Sequence, residues 1–150
     1  MREPLIYFAF GSNLHQPQME ERCPGCSVLQ PGVLKDYRLA FCGQSPNWGG
    51  GVATILPEQG AEVQGLLYAL NEADLQRLDA YEGYPGVYEH LPVGVTARDG
   101  TRQDALTYRK RNVDLRPPSV QYFYQMWRAY RALGLDEALL ARALAEVHDL

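Results

Sequence analysis

The stretch Tyr7-Phe8-Ala9-Phe10-Gly11-Ser12-Asn13-Leu14 constrains this chain more than any other. Its first half is short, apolar and aromatic, as a buried strand should be, and it breaks at once into Gly-Ser-Asn. Glycine lets the backbone of such a turn take positive φ and lets another group approach closely, while neighbouring amides converge into a cradle for an anion. On composition alone, an ordinary strand-ending turn explains the same residues. At 150 residues and 46% hydrophobic content the chain can bury one core, so a single domain over residues 1–150 is expected.

Charge narrows the partners. The net charge is −4 and no Lys/Arg cluster is large enough to form a phosphate-binding face, which argues against nucleic acid. The longest apolar runs fall far short of the ~18 residues of a membrane helix, and the N-terminus lacks the basic region and apolar core of a signal peptide. A soluble, cytoplasmic protein without a membrane partner is expected. Its three cysteines are then expected to be thiols. Cys23-Pro-Gly-Cys26 is the one Cys-x-x-Cys, and the remaining candidate ligands, Cys42, His15, His90 and His148, are scattered, so no metal site is expected. Asn47-Trp48-Gly49-Gly50-Gly51 fits neither G-x-G-x-x-G nor a P-loop, which leaves nucleotide binding unsupported.

Periodicity and turn residues give the element order. Strands are expected at Leu5 to Phe10, Ser27 to Leu34, Tyr37 to Cys42, Val52 to Leu56 and Glu62 to Leu70, with a short helix at Gln18 to Arg22. Asn71 caps a helix from Glu72 to about Tyr81, with Leu75 and Leu78 inward and Gly83 ending it. Leu91, Val93, Val95 and Ala97 alternate, Asp99-Gly100 turns the chain, and Thr101 to Arg111 returns as a half-exposed hairpin partner. Pro117-Pro118-Ser119 precedes a helix from Val120 to Leu133, and Asp136 caps a last one to about Val147. Strands first, helices last and no β-α-β repeat predict an α+β domain whose sheet is curled or closed.

Glu82 lies at the end of the second expected helix, where the macrodipole disfavours a carboxylate. Tyr81, Tyr84 and Tyr88 flank it, and rings that exclude water would raise its proton affinity further. Both effects move a Glu toward the range of a general base at neutral pH, although structural carboxylates also occupy such places.

Taken together, these segments resemble one family. Tyr7 to Leu14 is similar to the Y-F-A-Y-G-S-N-L signature of γ-glutamylcyclotransferases, of the AIG2-like superfamily. Leu78-Asp79-x-x-Glu82-Gly83 with Tyr88 resembles that family's catalytic segment, and Pro117-Pro118-Ser119-x-x-Tyr122 leading to Gly134-Leu135 resembles its C-terminal helix motif. Trp48-x-Gly50-Gly51-x-Ala53-Thr54-Ile55 and Glu62-Val63-x-Gly65 fall at matching places, so the likeness covers nearly the whole chain. It implies a small closed or nearly closed mixed β-barrel with flanking helices and a pocket at its mouth. It further implies conversion of γ-glutamyl amino acids to 5-oxoproline and a free amino acid, without a cofactor. Glu82 would be the acid/base, while Tyr7, Phe8, Ala9, Phe10, Gly11, Ser12, Asn13, Tyr88 and Tyr122 would bind substrate. The family usually has Tyr where this chain has Phe10, so any hydrogen bond from that hydroxyl is absent here. A homodimer is compatible with the reading.

The chemistry fits the residues independently. In a γ-glutamyl compound the α-amine and the γ-carbonyl belong to one molecule, so a bent substrate reacts intramolecularly and needs no protein nucleophile. Ser12 lies in no G-x-S-x-G, and the histidines have no telling relation to it. Two alternatives stand beside this: a cyclotransferase for γ-glutamyl amines or another γ-glutamyl conjugate, and a non-catalytic module binding a small carboxylate.

Overall fold

The computed structural model describes residues 4–148 and 150. Leu5–Ala9 forms β1, and Ser12–Leu14 then makes one 3-10 turn leading into α1, Gln16–Arg22, which has Pro17 in its first turn. Two long strands follow, β2 (Ser27–Ser45) and β3 (Gly50–Leu70). After α2 (Glu72–Glu82) come β4 (Tyr88–Ala97), β5 (Arg102–Lys110), α3 (Val120–Leu133) and α4 (Glu137–Val147). The sheet closes into a barrel in the order β1-β3-β2-β4-β5. Closure is the parallel pairing of β1 with β5 at Tyr7 and Leu106, while every other neighbour pair is antiparallel, so the barrel is mixed as expected.

The four middle strands expected from sequence are two. β2 runs unbroken through Pro31-Gly32, and its two halves pair successively with the two halves of β3. At the junction Lys35 faces Glu62 but Tyr37 faces Pro57, so β3 carries a large bulge against a single residue, Asp36, at φ 68°. The Asp36 carboxylate ties that bulge by accepting the Gly60 amide at 3.0 Å. Local composition reads such a bulge as two strands, because the shared partner is set at long range.

The core fills the barrel and continues under the helices. Phe8, Phe41, Ile55, Tyr68 and Val95 are fully buried, each burial contributing on the order of 1.5–3 kcal/mol. On α3, Tyr122, Met126, Ala129 and Tyr130 are buried, the i, i+4, i+7, i+8 spacing of one helical face. Ser119 caps that helix by accepting the Tyr122 amide at 3.2 Å, a contact worth about 1 kcal/mol, so packing rather than capping holds α3 in place. β1 and β5 run parallel, so their C-terminal ends share one rim of the barrel. There the Gly11–Asn13 turn and Lys110 come together with Tyr88, which pairs with Lys110 across the hairpin.

Candidate active site

α2 delivers Glu82 to this rim. The Asn71 side chain accepts the Asp74 amide at 2.7 Å to start the helix, and Gly83, left-handed at φ 69°, ends it. The amides of Gly83 and Tyr84 close the last turn on the carbonyls of Ala80 and Asp79 at 3.3 and 2.9 Å. Glu82 is therefore the final helical residue, in a turn with no basic side chain to offset the dipole.

Asn13 holds the carboxylate. Its Nδ2 donates to Glu82 Oε1 at 3.3 Å and to the Tyr7 hydroxyl at 2.9 Å, and its Oδ1 accepts from Arg22. All three bonds fix the amide in one orientation, and with 3% exposure Asn13 has little recourse to water. Arg22 also donates to Ser12 Oγ at 3.3 Å and to the Tyr81 hydroxyl, and its guanidinium lies 3.3 Å from the centre of the Tyr81 ring. The order of connection is Arg22, Asn13, Glu82.

Burial pushes the Glu82 carboxyl up from 4.5 to about 7, against the opposing pull of Arg22, the Asn13 hydrogen bond and Lys110. Burial, reinforced by the charge of Glu82, keeps the Tyr7 and Tyr88 hydroxyls well above the ordinary tyrosine value. At neutral pH the site thus pairs one titrating carboxylate with neutral hydroxyl donors.

These groups surround a cavity of about 240 Å³, below the roughly 300–1,000 Å³ of sites for drug-sized ligands. Of the residues expected to act, Glu82, Tyr7, Phe10, Gly11, Ser12, Asn13, Tyr88 and Tyr122 line it. Phe8 and Ala9 do not; both are fully buried in the core, with the Phe8 ring centre 6.5 Å from that of Phe10. Tyr84, expected beside Glu82, instead stacks on His90 with ring centres 3.8 Å apart, and His90 Nε2 lies 2.7 Å from Asp79 Oδ1. Gly11 is not left-handed, its φ being −118°, and the space beside it is tight. A Cβ there would lie 3.1 Å from the Tyr122 hydroxyl oxygen and 3.2 Å from Ala53 Cβ. The Ala53 peptide forms part of this wall, its amide donating to Tyr122 at 2.9 Å and its carbonyl accepting from Tyr88 at 3.1 Å.

Three contributors escape the sequence reading. Arg22 is remote in sequence from everything it braces except the turn. Tyr108 lines the cavity and packs edge-on to Tyr7 with ring centres 5.8 Å apart. Lys110 lies two residues further along β5, buried at 6% exposure, with its ammonium 5.1 Å from the centre of the Tyr88 ring. Alternation from Tyr108 would place Lys110 inward, but Arg109-Lys110-Arg111 reads as a solvated basic run.

A small closed barrel with flanking helices and a buried carboxyl among tyrosine hydroxyls at its rim is an architecture suited to proton transfer on a small polar molecule. Comparison with known proteins places it. Residues 7–129 match the family described as gamma-glutamyl cyclotransferase, AIG2-like, and the chain belongs to that family. It is 34% identical over 125 residues to the gamma-glutamylcyclotransferases of Homo sapiens and Bos taurus, across 80% of this chain. The match spans 66% of the length of each of those relatives. A solved gamma-glutamyl cyclotransferase superposes with a TM-score of 0.87 at 30% identity, covering 95% of this chain and 88% of that one. Among the described residues, no helix is long and apolar enough to cross a membrane.

Proposed function

We propose that this chain is a γ-glutamylcyclotransferase that converts γ-glutamyl amino acids to 5-oxoproline and the free amino acid. The observation that carries the reading is Glu82, a carboxyl titrating at about 7 and held by Asn13 in a cavity of dipeptide scale.

The substrate's α-ammonium lies against Glu82, which takes one proton from it. The freed amine nitrogen attacks the γ-carbonyl carbon, forming the ring C–N bond. As the tetrahedral intermediate collapses, the original amide C–N bond breaks and Glu82 returns that proton to the departing nitrogen; Glu82 then passes on the second proton of the ring nitrogen, so that the lactam keeps one N–H and the amino acid leaves as its ammonium form. One carboxyl serves all these transfers, and no protein nucleophile or cofactor is consumed. The ring closure is intramolecular, so the protein's task is to hold the bent conformer, an effect worth up to about 7–11 kcal/mol in well-oriented systems. The hydroxyls of Tyr7 and Tyr122, which accept from Asn13 and from the Ala53 amide and keep their own hydrogens, supply donors for the substrate carboxylate and the oxyanion. Phe8 and Ala9 contribute the strand that positions the turn rather than direct contacts.

The test is to incubate the protein with γ-glutamyl amino acids and amines and to measure 5-oxoproline. Release from a γ-glutamyl amino acid is expected. A folded protein that releases none, while binding a small carboxylate, would favour the non-catalytic module instead.

A further inference from the structure

Lys110 is the one charged group of the cavity that the reaction above leaves unused. It is 6% exposed and lines the cavity, and beyond the Tyr88 ring its ammonium has no hydrogen-bond or ion-pair partner among the described residues. Its backbone is fixed by the Lys110 amide donating to Thr54 Oγ1 at 2.9 Å. Its side chain runs past Gly43, where a Cβ would lie 2.4 Å from Lys110 Cε and 3.1 Å from Nζ. The chain therefore makes room for this side chain. An ammonium buried without an anion in contact is unfavourable, and burial lowers the Lys110 proton affinity, an effect the charge of Glu82 offsets only in part. An arriving anion would relieve that cost.

Charge accounting identifies the anion. Among the described lining residues, Glu82 is the only acid and Lys110 the only base. A γ-glutamyl amino acid brings one ammonium and two carboxylates. Glu82 takes the ammonium, and in the reaction above the glutamyl carboxylate takes the neutral hydroxyl donors of the cavity. The second carboxylate lies across the scissile amide, on the leaving amino acid. We propose that Lys110 is the specificity determinant for that leaving-group carboxylate, selecting γ-glutamyl amino acids over γ-glutamyl amines; this rests on the cyclotransferase reading. An amine conjugate would leave the lysine buried and unpaired, which supplies discrimination as well as affinity.

The experiment uses a matched pair, γ-glutamylalanine and γ-glutamylethylamide, which differ only by that carboxylate. In Lys110→Met, the ratio of kcat/KM for the alanine over the ethylamide substrate should fall about 10- to 100-fold from the parent value, mainly through a higher KM for γ-glutamylalanine. Lys110→Gln, which retains polarity, is read the same way if the Met variant does not fold. An unchanged ratio, whether both substrates suffer equally or neither does, overturns the assignment of Lys110 while leaving the cyclotransferase reading intact. Absence of 5-oxoproline from both substrates with the parent protein instead removes the underlying activity, and the assignment with it.

Discussion

The side-chain amide of Asn13 donates to Glu82 Oε1 at 3.3 Å, joining the turn after β1 to the last residue of a helix 69 positions away. The bond favours the carboxylate, and so does the Arg22 charge behind it, whereas burial favours the acid. The balance leaves Glu82 near neutrality.

Removing that hydrogen bond should therefore raise the Glu82 proton affinity. In Asn13→Leu the lower limb of the kcat/KM profile should move to higher pH, with rate lost at pH 7 and largely recovered in alkaline buffer. Arg22→Met should shift the limb in the same direction without removing a group that lines the cavity. A uniform loss at every pH would assign both residues a merely structural role.

Stability should carry the same signature. Folded Glu82 titrates at about 7 against an ordinary 4.5, so the folded state binds more protons between those values and loses stability as pH rises through them. Below that window the acid is neutral in both states and there is no penalty. Glu82→Gln removes the effect, and relief from the helix dipole adds roughly 0.3–1 kcal/mol to any gain at neutral pH. Its stability relative to the parent, read as urea midpoints, should be more favourable at pH 7.5 than at pH 4.5. An equal difference at both would contradict the shifted titration.

Much of this arrangement is legible in the sequence, and the misses share a cause. α3 and its Ser119 cap, the left-handed Gly83 and the Asp99-Gly100 turn follow from local rules, and the structure has them where expected. The fused strands do not, because one bulge and two strands look alike until the partner is known. Tyr84 lies two residues from Glu82 in sequence yet stacks on His90, while Tyr108 comes to the site on β5, beside Tyr7 of the paired strand β1. Closure of β1 on β5 brings Lys110 beside the Gly11 turn, and no local pattern encodes that pairing.

The Gly11 turn offers a steric test. Gly11→Val places a branched side chain where even a Cβ would lie 3.1 Å from the Tyr122 hydroxyl, so it should displace Tyr122 and weaken 5-oxoproline binding about tenfold or more. Ser12→Ala, which loses only a 3.3 Å contact from Arg22, should be milder. Parental affinity in a Gly11→Val protein folded by circular dichroism would make the turn a connector only.

The cysteines should be dispensable. Burial pushes the Cys23 and Cys42 thiols up to about 12 and about 11, and raises that of Cys26. None is then a ready thiolate at neutral pH. The double variant Cys23→Ala and Cys26→Ala should keep turnover within about threefold, since neither sulfur lines the cavity. Stoichiometric zinc in the parent, lost in the variant together with activity, would overturn this.

The most direct measurement is 5-oxoproline formation by the parent and Glu82→Gln at saturating γ-glutamyl amino acid. Gln retains the shape of Glu82 and an oxygen for Asn13, but it cannot take the ammonium proton. The rate should fall by about 10²- to 10⁴-fold, the usual worth of a positioned acid/base, with substrate affinity largely kept and the pH limb near 7 gone from the residual activity. Equal rates in the two proteins would remove Glu82 from the mechanism.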